Sequence, residues 1–564
     1  MAGLSSSIIR KVGEAQKADR IDDFDEKSGY AKSTGMYFST RPAFRIPEEP
    51  FLSFTQYMFA HSYGSKIALV DAPTGKTVSF EELEQQVMAL AAGLGSIGVC
   101  QGNTVILIAP NSILYPVVFL SVMAIGAVIT TANYVNTFPE LERQIQDSEA
   151  RLVVTISSLV QKVKKSGLPL VLMDEDGVSD HVSQPDDAPI FFLSNLLRSD
   201  SSKAPPVRIH QEDTAALLYS SGTTGMSKGV IISHKNLISS TIIVFSPLPP
   251  APVDEVILCV LPMFHIYGFS CIVCANLCKA RTVVVMPQYN FESMLAAVGR
   301  YRVTVLPVVP PVILHLVKRQ PGRQYDLSSL RDVGSAAAPL GKELMEAFMK
   351  MYPGVQLSQA YGLTETSGLA TLIFRQEVMC IGSSGKLVSN VKSKVVDFDS
   401  GRFLPPYEKG EIWLHGPCIT TGYFKKNEAT MATIDSEGWL HTGDIGFFNN
   451  EGQLFVVDRL KEMIKYKSFQ VAPAELEAVL ASHPEITDAA VIPCPDEEAG
   501  EVPMAFVVRS PGSTLNEEKV KSFVAAQVSP YKKVRQVVFT NAIPKSASGK
   551  ILRKELIQLL RSKI

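Results

Sequence analysis

The sequence has no apolar run long enough to cross a bilayer, no excess of either charge and no paired-cysteine framework. The most membrane-like stretch, Val117 to Thr130, falls short of the ~20 residues a spanning helix needs. It predicts a buried helix running into a strand. With 54 basic and 56 acidic residues and a net charge of −2, there is no electrostatic reason to expect nucleic-acid binding. The stretch from Met1 to Lys27 is polar and has no apolar core, so no secretory signal is expected. Of the eight cysteines, only Cys271, Cys274 and Cys278 are close together. Their segment is apolar, and no second cluster supplies a fourth ligand at zinc-like spacing. They are expected on one face of a core helix, and the scattered remainder fits a reducing compartment. No repeat or low-complexity tract interrupts the chain.

What is present is an ordinary globular composition, 46% hydrophobic and 20% charged over 564 residues. That length suggests roughly three or four domains, fewer where α/β domains are large. Short β-branched runs recur at 104–108, 152–155, 170–173, 256–260 and 282–286, with helical patterns between them. Strands alternating with helices predict α/β layers with substantially parallel sheet. From Lys392 to Val457 the pattern becomes strands and turns with little helix, which predicts a small antiparallel unit. A compact α+β tail follows. The boundary is expected at Asp458–Lys461, giving a large domain, residues 1–458, and a small one, residues 459–564.

The stretch "LYSSGTTGMSKGV", Leu218 to Val230, interrupts two apolar runs with a polar loop. Ser220, Ser221, Thr223 and Thr224 supply donors, and Gly222 and Gly225 let backbone N–H groups approach a ligand closely. With Lys228 this predicts a phosphate cradle, although the spacing is not that of a Walker A loop. A solvated turn is the plain alternative. Four further segments set polar residues beside glycines: "QAYGLTETSG" (359–368), "GWLHTGDIG" (438–446), "DRLKEMIKYKSFQVAPAELE" (458–477) and "PKSASGKILRK" (544–554).

Taken in this order, the five segments resemble the adenylate-forming superfamily of acyl-CoA synthetases, firefly-type luciferases and peptide-synthetase adenylation domains. "PMFHIYG" (262–268) and the last two segments look most like 4-coumarate–CoA ligases and their relatives. The resemblance implies a layered α/β large domain followed by a small, mobile α+β domain. It also implies a two-step reaction. A carboxylate attacks the α-phosphorus of Mg-ATP and pyrophosphate leaves; a thiol, that of CoA, then displaces AMP. Preorganised donors and cations suit such charged transition states.

By the same resemblance, the Ser220–Gly225 loop and Lys228 would hold the pyrophosphate portion. Glu365 would help hold Mg²⁺, Thr364 would lie against the α-phosphate and Tyr361 along the adenine. Ala337, Gln359 and Gly362 would complete the nucleotide pocket. Asp444 would accept both ribose hydroxyls, with Arg459 nearby. Lys550 would bridge the substrate carboxylate and the α-phosphate, with Lys465 and Gln470 as a second polar pair. Lys461 matches the hinge. His265 would lie between the acyl pocket and the thiol channel, whose wall includes Lys467 and Ser468. Tyr267, Cys271, His315, Ala336 and Ala360 would line the acyl pocket. Ala336 and Ala360 each replace a glycine common in relatives, which points away from coumarate itself. Ser468 replaces a glycine in the thiol channel.

The implied substrates are ATP, CoA and a carboxylic acid, either cinnamate-like or a medium-to-long-chain fatty acid. The rivals are loading of a carrier protein in trans, luciferase-like oxygenation, or a non-catalytic nucleotide-binding protein. Ser562-Lys563-Ile564 resembles the Ser-Lys-Leu address read by the peroxisomal import receptor, so a peroxisomal location is expected.

Overall fold

The computed structural model describes residues 23–60, 63–174, 188–220, 227–245, 255–319, 322, 324–375, 377–466, 469–496, 499–546 and 549–561. Two seven-stranded sheets form the body of the molecule. The first runs Lys228–Ser233, Thr214–Ser220, Val128–Thr131, Thr104–Ile108, Ala150–Thr155, Leu170–Leu172 and Ile190–Phe192. It is parallel except for its first strand, which pairs antiparallel with Thr214–Ser220. The second runs Gln356–Gln359, Asp332–Ser335, Val305–Val308, Val256–Cys259, Thr282–Val285, Ile67–Asp71 and Thr77–Ser79. Again only one edge strand, Thr77–Ser79, is antiparallel.

The central strands are near-continuous apolar runs because helices cover both of their faces. Every residue of Thr104–Ile108 is buried. The membrane-like stretch resolves into a buried helix, Leu114–Ala124, a turn through Gly126 and the strand Val128–Thr131. Pro116 is tolerated as the third helical residue, where no intrahelical donor is required. Among the described residues no helix is long and apolar enough to cross a membrane.

The antiparallel unit is larger than the sequence suggested. Its strands Lys392–Val396, Gly410–His415, Leu440–Phe448 and Leu454–Arg459 are joined by Tyr30–Ala31 and Met36–Phe38. Tyr37, fully buried, stacks on Phe448 at 4.3 Å and so ties the two ends of the sheet's core together. The next sheet begins at Ile464. It places Phe469–Val471, Ile464–Tyr466, Gly500–Arg509 and Ile486–Asp496 in order, with Gln536–Phe539 also on Gly500–Arg509. Apolar clusters fill both faces of this small sheet.

The cysteine segment departs from expectation. Tyr267–Cys274 winds as a π-helix, with the Ala275 N–H donating to the Ser270 carbonyl five residues back. Within it Cys274 is 1% exposed, whereas Cys271 and, just beyond, Cys278 are only partly covered. All described cysteines are free, and no cluster of metal-ligating side chains occurs among the described residues.

Candidate active site

The second parallel sheet directs its carboxyl ends toward the antiparallel sheet and the small domain, the position where open α/β sheets hold ligands. Strand Asp332–Ser335 runs on into Ala336 and Ala337, and Gln356–Gln359 into Ala360 and Tyr361. Ala337 holds φ at 70°, a left-handed conformation that a side chain resists. Gln359 Nε2 donates to Ser384 Oγ at 3.0 Å, fixing the strand end. Gly362 has no room for a Cβ, which would lie 2.0 Å from the Gly368 carbonyl oxygen.

Asp444 reaches this junction from a bulge. Glu411 pairs with Ile445 and Trp413 with His441, so Ile412 alone faces Thr442, Gly443 and Asp444. Such bulges bend a strand and re-aim its side chains. Asp444 is 3% exposed. Its carboxylate accepts from the Tyr361 hydroxyl at 2.8 Å and pairs with Arg459 Nε at 3.1 Å. Burial pushes the Asp444 carboxyl above its ordinary range, while Arg459, the Tyr361 hydroxyl and Lys550 pull it back. Burial also raises the Tyr361 phenol.

Lys550 approaches from the small domain. A Cβ on Gly549 would stand 3.1 Å from Val309 Cγ2 and 3.6 Å from Pro311 Cδ. The loop therefore packs directly on the large domain, and Gly549, at φ 80°, permits it. Burial lowers the Lys550 ammonium pKa and the nearby Arg459 adds to this; Glu462 and Asp444 oppose it. His265 feels the same lysine. Burial first, then the Lys550 charge, lowers its imidazole to about 4, so the ring is neutral near pH 7. A cavity of about 670 Å³ separates the domains, lined among others by Ala337, Tyr361, Gly362, Asp444, Arg459 and Lys550.

Glu365 lies on the turn Thr364–Thr366, where Thr364 is buried. Its Oε1 accepts from Ser220 Oγ at 3.0 Å and from the Tyr423 hydroxyl at 2.8 Å. Lys228 Nζ stands 4.9 Å from the Tyr423 ring centroid. The stem of the glycine-rich loop, Ser220 paired with Lys228, is thus tied to Glu365. Ser221 to Gly225 lie outside the described residues. Tyr423 was missed by the sequence reading; its signal was the Gly-aromatic step in "TTGYFKK".

Tyr267 and Cys271 pack against the apolar cluster that holds Ala336 and Ala360. His315 Nδ1 is hydrogen-bonded to the Tyr289 hydroxyl at 2.8 Å, and its ring meets Phe291 edge-on. Lys461 and Lys465 are exposed. Lys465 pairs in register with Gln470 across the hairpin Ile464–Tyr466 to Phe469–Val471. The Gln470 side chain, Lys467, Ser468 and Ser562–Ile564 lie outside the described residues.

A buried carboxylate and an aromatic ring at sheet ends, closed over by a lysine from a second domain, define an adenylate-forming enzyme. Residues 58–424 match the AMP-binding enzyme family and residues 475–550 the AMP-binding enzyme C-terminal domain, and the chain belongs to that family. It is 45% identical over 547 residues to Probable CoA ligase CCL5 of Humulus lupulus, covering 96% of this chain and 98% of that one. It is equally 45% identical over 544 residues to Peroxisomal OPC-8:0-CoA ligase 1 of Arabidopsis thaliana, covering 95% and 98%. The fold is similar to O-succinylbenzoate coenzyme A synthetase (MenE) of Bacillus subtilis in complex with ATP and magnesium ion. There the TM-score is 0.77 and the identity 26%, over 90% of this chain and 99% of that one. The protein is an AMP-forming acid–thiol ligase, joining a carboxylic acid to CoA at the expense of ATP.

Proposed function

We propose that the acid is a medium-to-long aliphatic carboxylic acid, activated and thioesterified in the peroxisome. The observation that carries the reading is the packing of Ala336 and Ala360, 3% and 9% exposed, beside Tyr267 and Cys271. Each alanine adds a methyl group where a flat ring needs width, and a slim chain tolerates the narrowing. The likeness to a ligase named for OPC-8:0 and for the peroxisome supports it.

In this reading Asp444 accepts from the ribose hydroxyls, as an acceptor-only group suits a diol. Tyr361, Ala337, Gln359 and Gly362 line the base, and Thr364 lies against the α-phosphate. The Ser220–Gly225 loop and Lys228 hold the leaving pyrophosphate. Glu365 suits Mg²⁺, a hard ion that takes oxygen ligands: both described donors sit on Oε1, which leaves Oε2 for the ion. Bound there, Mg²⁺ would neutralise phosphate charge. The substrate carboxylate oxygen attacks the α-phosphorus and the bond to pyrophosphate breaks. Lys550 follows the negative charge between the oxygens as a compact cation on a long stem. Domain rotation about Lys461 then turns the Lys465–Gln470 hairpin toward the site. The CoA thiolate attacks the acyl carbonyl past neutral His265, and AMP leaves.

Pyrophosphate release with ATP and a panel of acids, followed by thioester formation with CoA, tests the substrate. Aliphatic acids are expected to give the highest kcat/KM; a maximum at 4-coumarate overturns the reading. Removing Ser562–Ile564 from an N-terminally tagged protein should make it cytosolic with activity unchanged. A diffuse intact protein overturns the location.

A further inference from the structure

The bulge that carries Asp444 is held by a side chain outside the nucleotide pocket. Gly443, at φ 68°, donates its N–H to Glu411 Oε1 at 2.9 Å. The other carboxylate oxygen, Oε2, accepts from the Trp413 indole N–H at 2.9 Å. Trp413 is itself fixed, its ring stacked on His441 at 3.7 Å and 10°. The Gly443 carbonyl, in the next peptide unit, which leads to Asp444, accepts from the Leu460 N–H at 2.9 Å, between Arg459 and Lys461. One glycine therefore joins the Glu411 carboxylate to the segment that leads into the small domain. A left-handed glycine in a bulge has many alternatives open to it. Here both its N–H and its carbonyl are bound, and Asp444 follows it directly.

We infer that Glu411 is a positioning residue: by holding the Gly443 N–H, with Trp413 orienting its carboxylate, it fixes the direction in which Asp444 meets the nucleotide. This rests on the reading of Asp444 as the ribose ligand. Glu411 touches no reacting atom. Its loss leaves the Asp444 carboxylate in place but lets the bulge peptide turn, so the acceptor geometry toward a diol degrades. A hydrogen bond to an ionised group restrains such a peptide more strongly than one to a neutral acceptor.

The test is the ratio of affinities for AMP and 2′-deoxy-AMP, measured by calorimetry on the full chain. A merely structural role would weaken both ligands alike and leave the ratio unmoved. Glu411→Ala is expected to lower the discrimination about tenfold. Glu411→Gln keeps one acceptor and should fall between Ala and wild type. Trp413→Phe, which preserves the stacked ring and removes the indole donor, should also reduce the ratio and serves should Glu411→Ala fail to fold. Asp444→Ala is the reference. If it leaves the discrimination intact, the ribose reading fails and takes this inference with it. If Asp444→Ala abolishes discrimination while the Glu411 and Trp413 variants keep the wild-type ratio, the inference alone is overturned.

Discussion

Two turns of the same small domain carry lysines, and the structure treats them oppositely. Lys550 follows Gly549 in a loop pressed against Val309 and Pro311. It is half-buried, and its pKa is depressed by burial and then by Arg459. Lys465 stands on the hairpin with Gln470, exposed, its backbone N–H taken by Glu501 at 2.8 Å. Both lie near glycine or serine in polar stretches, so local composition does not separate them. What separates them is the surface the large domain sets opposite: the nucleotide cleft for one, solvent for the other. Under the roles proposed for the two lysines, this arrangement serves the first half-reaction.

The largest effect that would break this contrast is that of Lys550→Ala. Pyrophosphate release should fall by a factor corresponding to ~3 kcal/mol or more, while thioester formation from preformed acyl-adenylate survives. Equal loss in both steps would mean that the two lysine-bearing turns do not divide the work.

A smaller effect comes from pH. The depressed Lys550 loses its proton as pH rises through a pKa below the ordinary lysine value of 10.5. Adenylation kcat/KM should therefore decline on the alkaline side earlier than an exposed lysine would allow. Lys550→Arg keeps its charge throughout and should move that limb to higher pH; an unmoved limb assigns the titration elsewhere. On the acid side the signs reverse. His265 titrates at about 4 in the folded chain against 6.5 unfolded. The unfolded chain binds more protons in that interval, so stability declines as pH falls from 6.5 toward 4 and is level above it. Denaturant midpoints of His265→Gln should show a shallower decline. His234, held near 4 by burial, maintains part of the slope in both proteins.

The smallest effect sharpens the contrast from the other side. On the proposal, drawn from resemblance, that Ser468 belongs to the wall of the thiol channel, Ser468→Gly should modestly raise the rate of CoA capture by preformed enzyme–adenylate in single-turnover mixing, since glycine has no side chain and a freer backbone. First-turnover pyrophosphate release should not change. A slower capture would show the serine to be accommodated.

Much of this was legible in the sequence, for local reasons. The strand runs at 104–108 and 282–286 and the change of pattern at Lys392 are periodicity signals, and each fell where a strand formed. The convergence of Tyr361, Asp444, Arg459 and Lys550 was legible only through resemblance, since no spacing rule links residues so far apart. What stayed hidden depends on pairings between remote segments. Met36–Phe38 joins Lys392–Lys394, and Tyr423 reaches Glu365; the first leaves no trace in its own neighbourhood, and the second only the Gly-aromatic step before it. His315 was expected at the acyl wall through resemblance alone, and its bond to Tyr289 depends on a strand-to-helix loop no pattern predicts.

The π-wound segment Tyr267–Cys274 carries a consequence for how this enzyme could diversify. Each such turn accommodates about one residue more than an α-turn would. Loss of a single residue there would let the segment tighten into α geometry while its two ends kept close to their present facing. His265 and the helix that follows would keep their relation, and only side chains within the segment would be re-aimed. A one-residue change in length is therefore one this segment can absorb as a wider or tighter turn without disturbing what lies on either side of it.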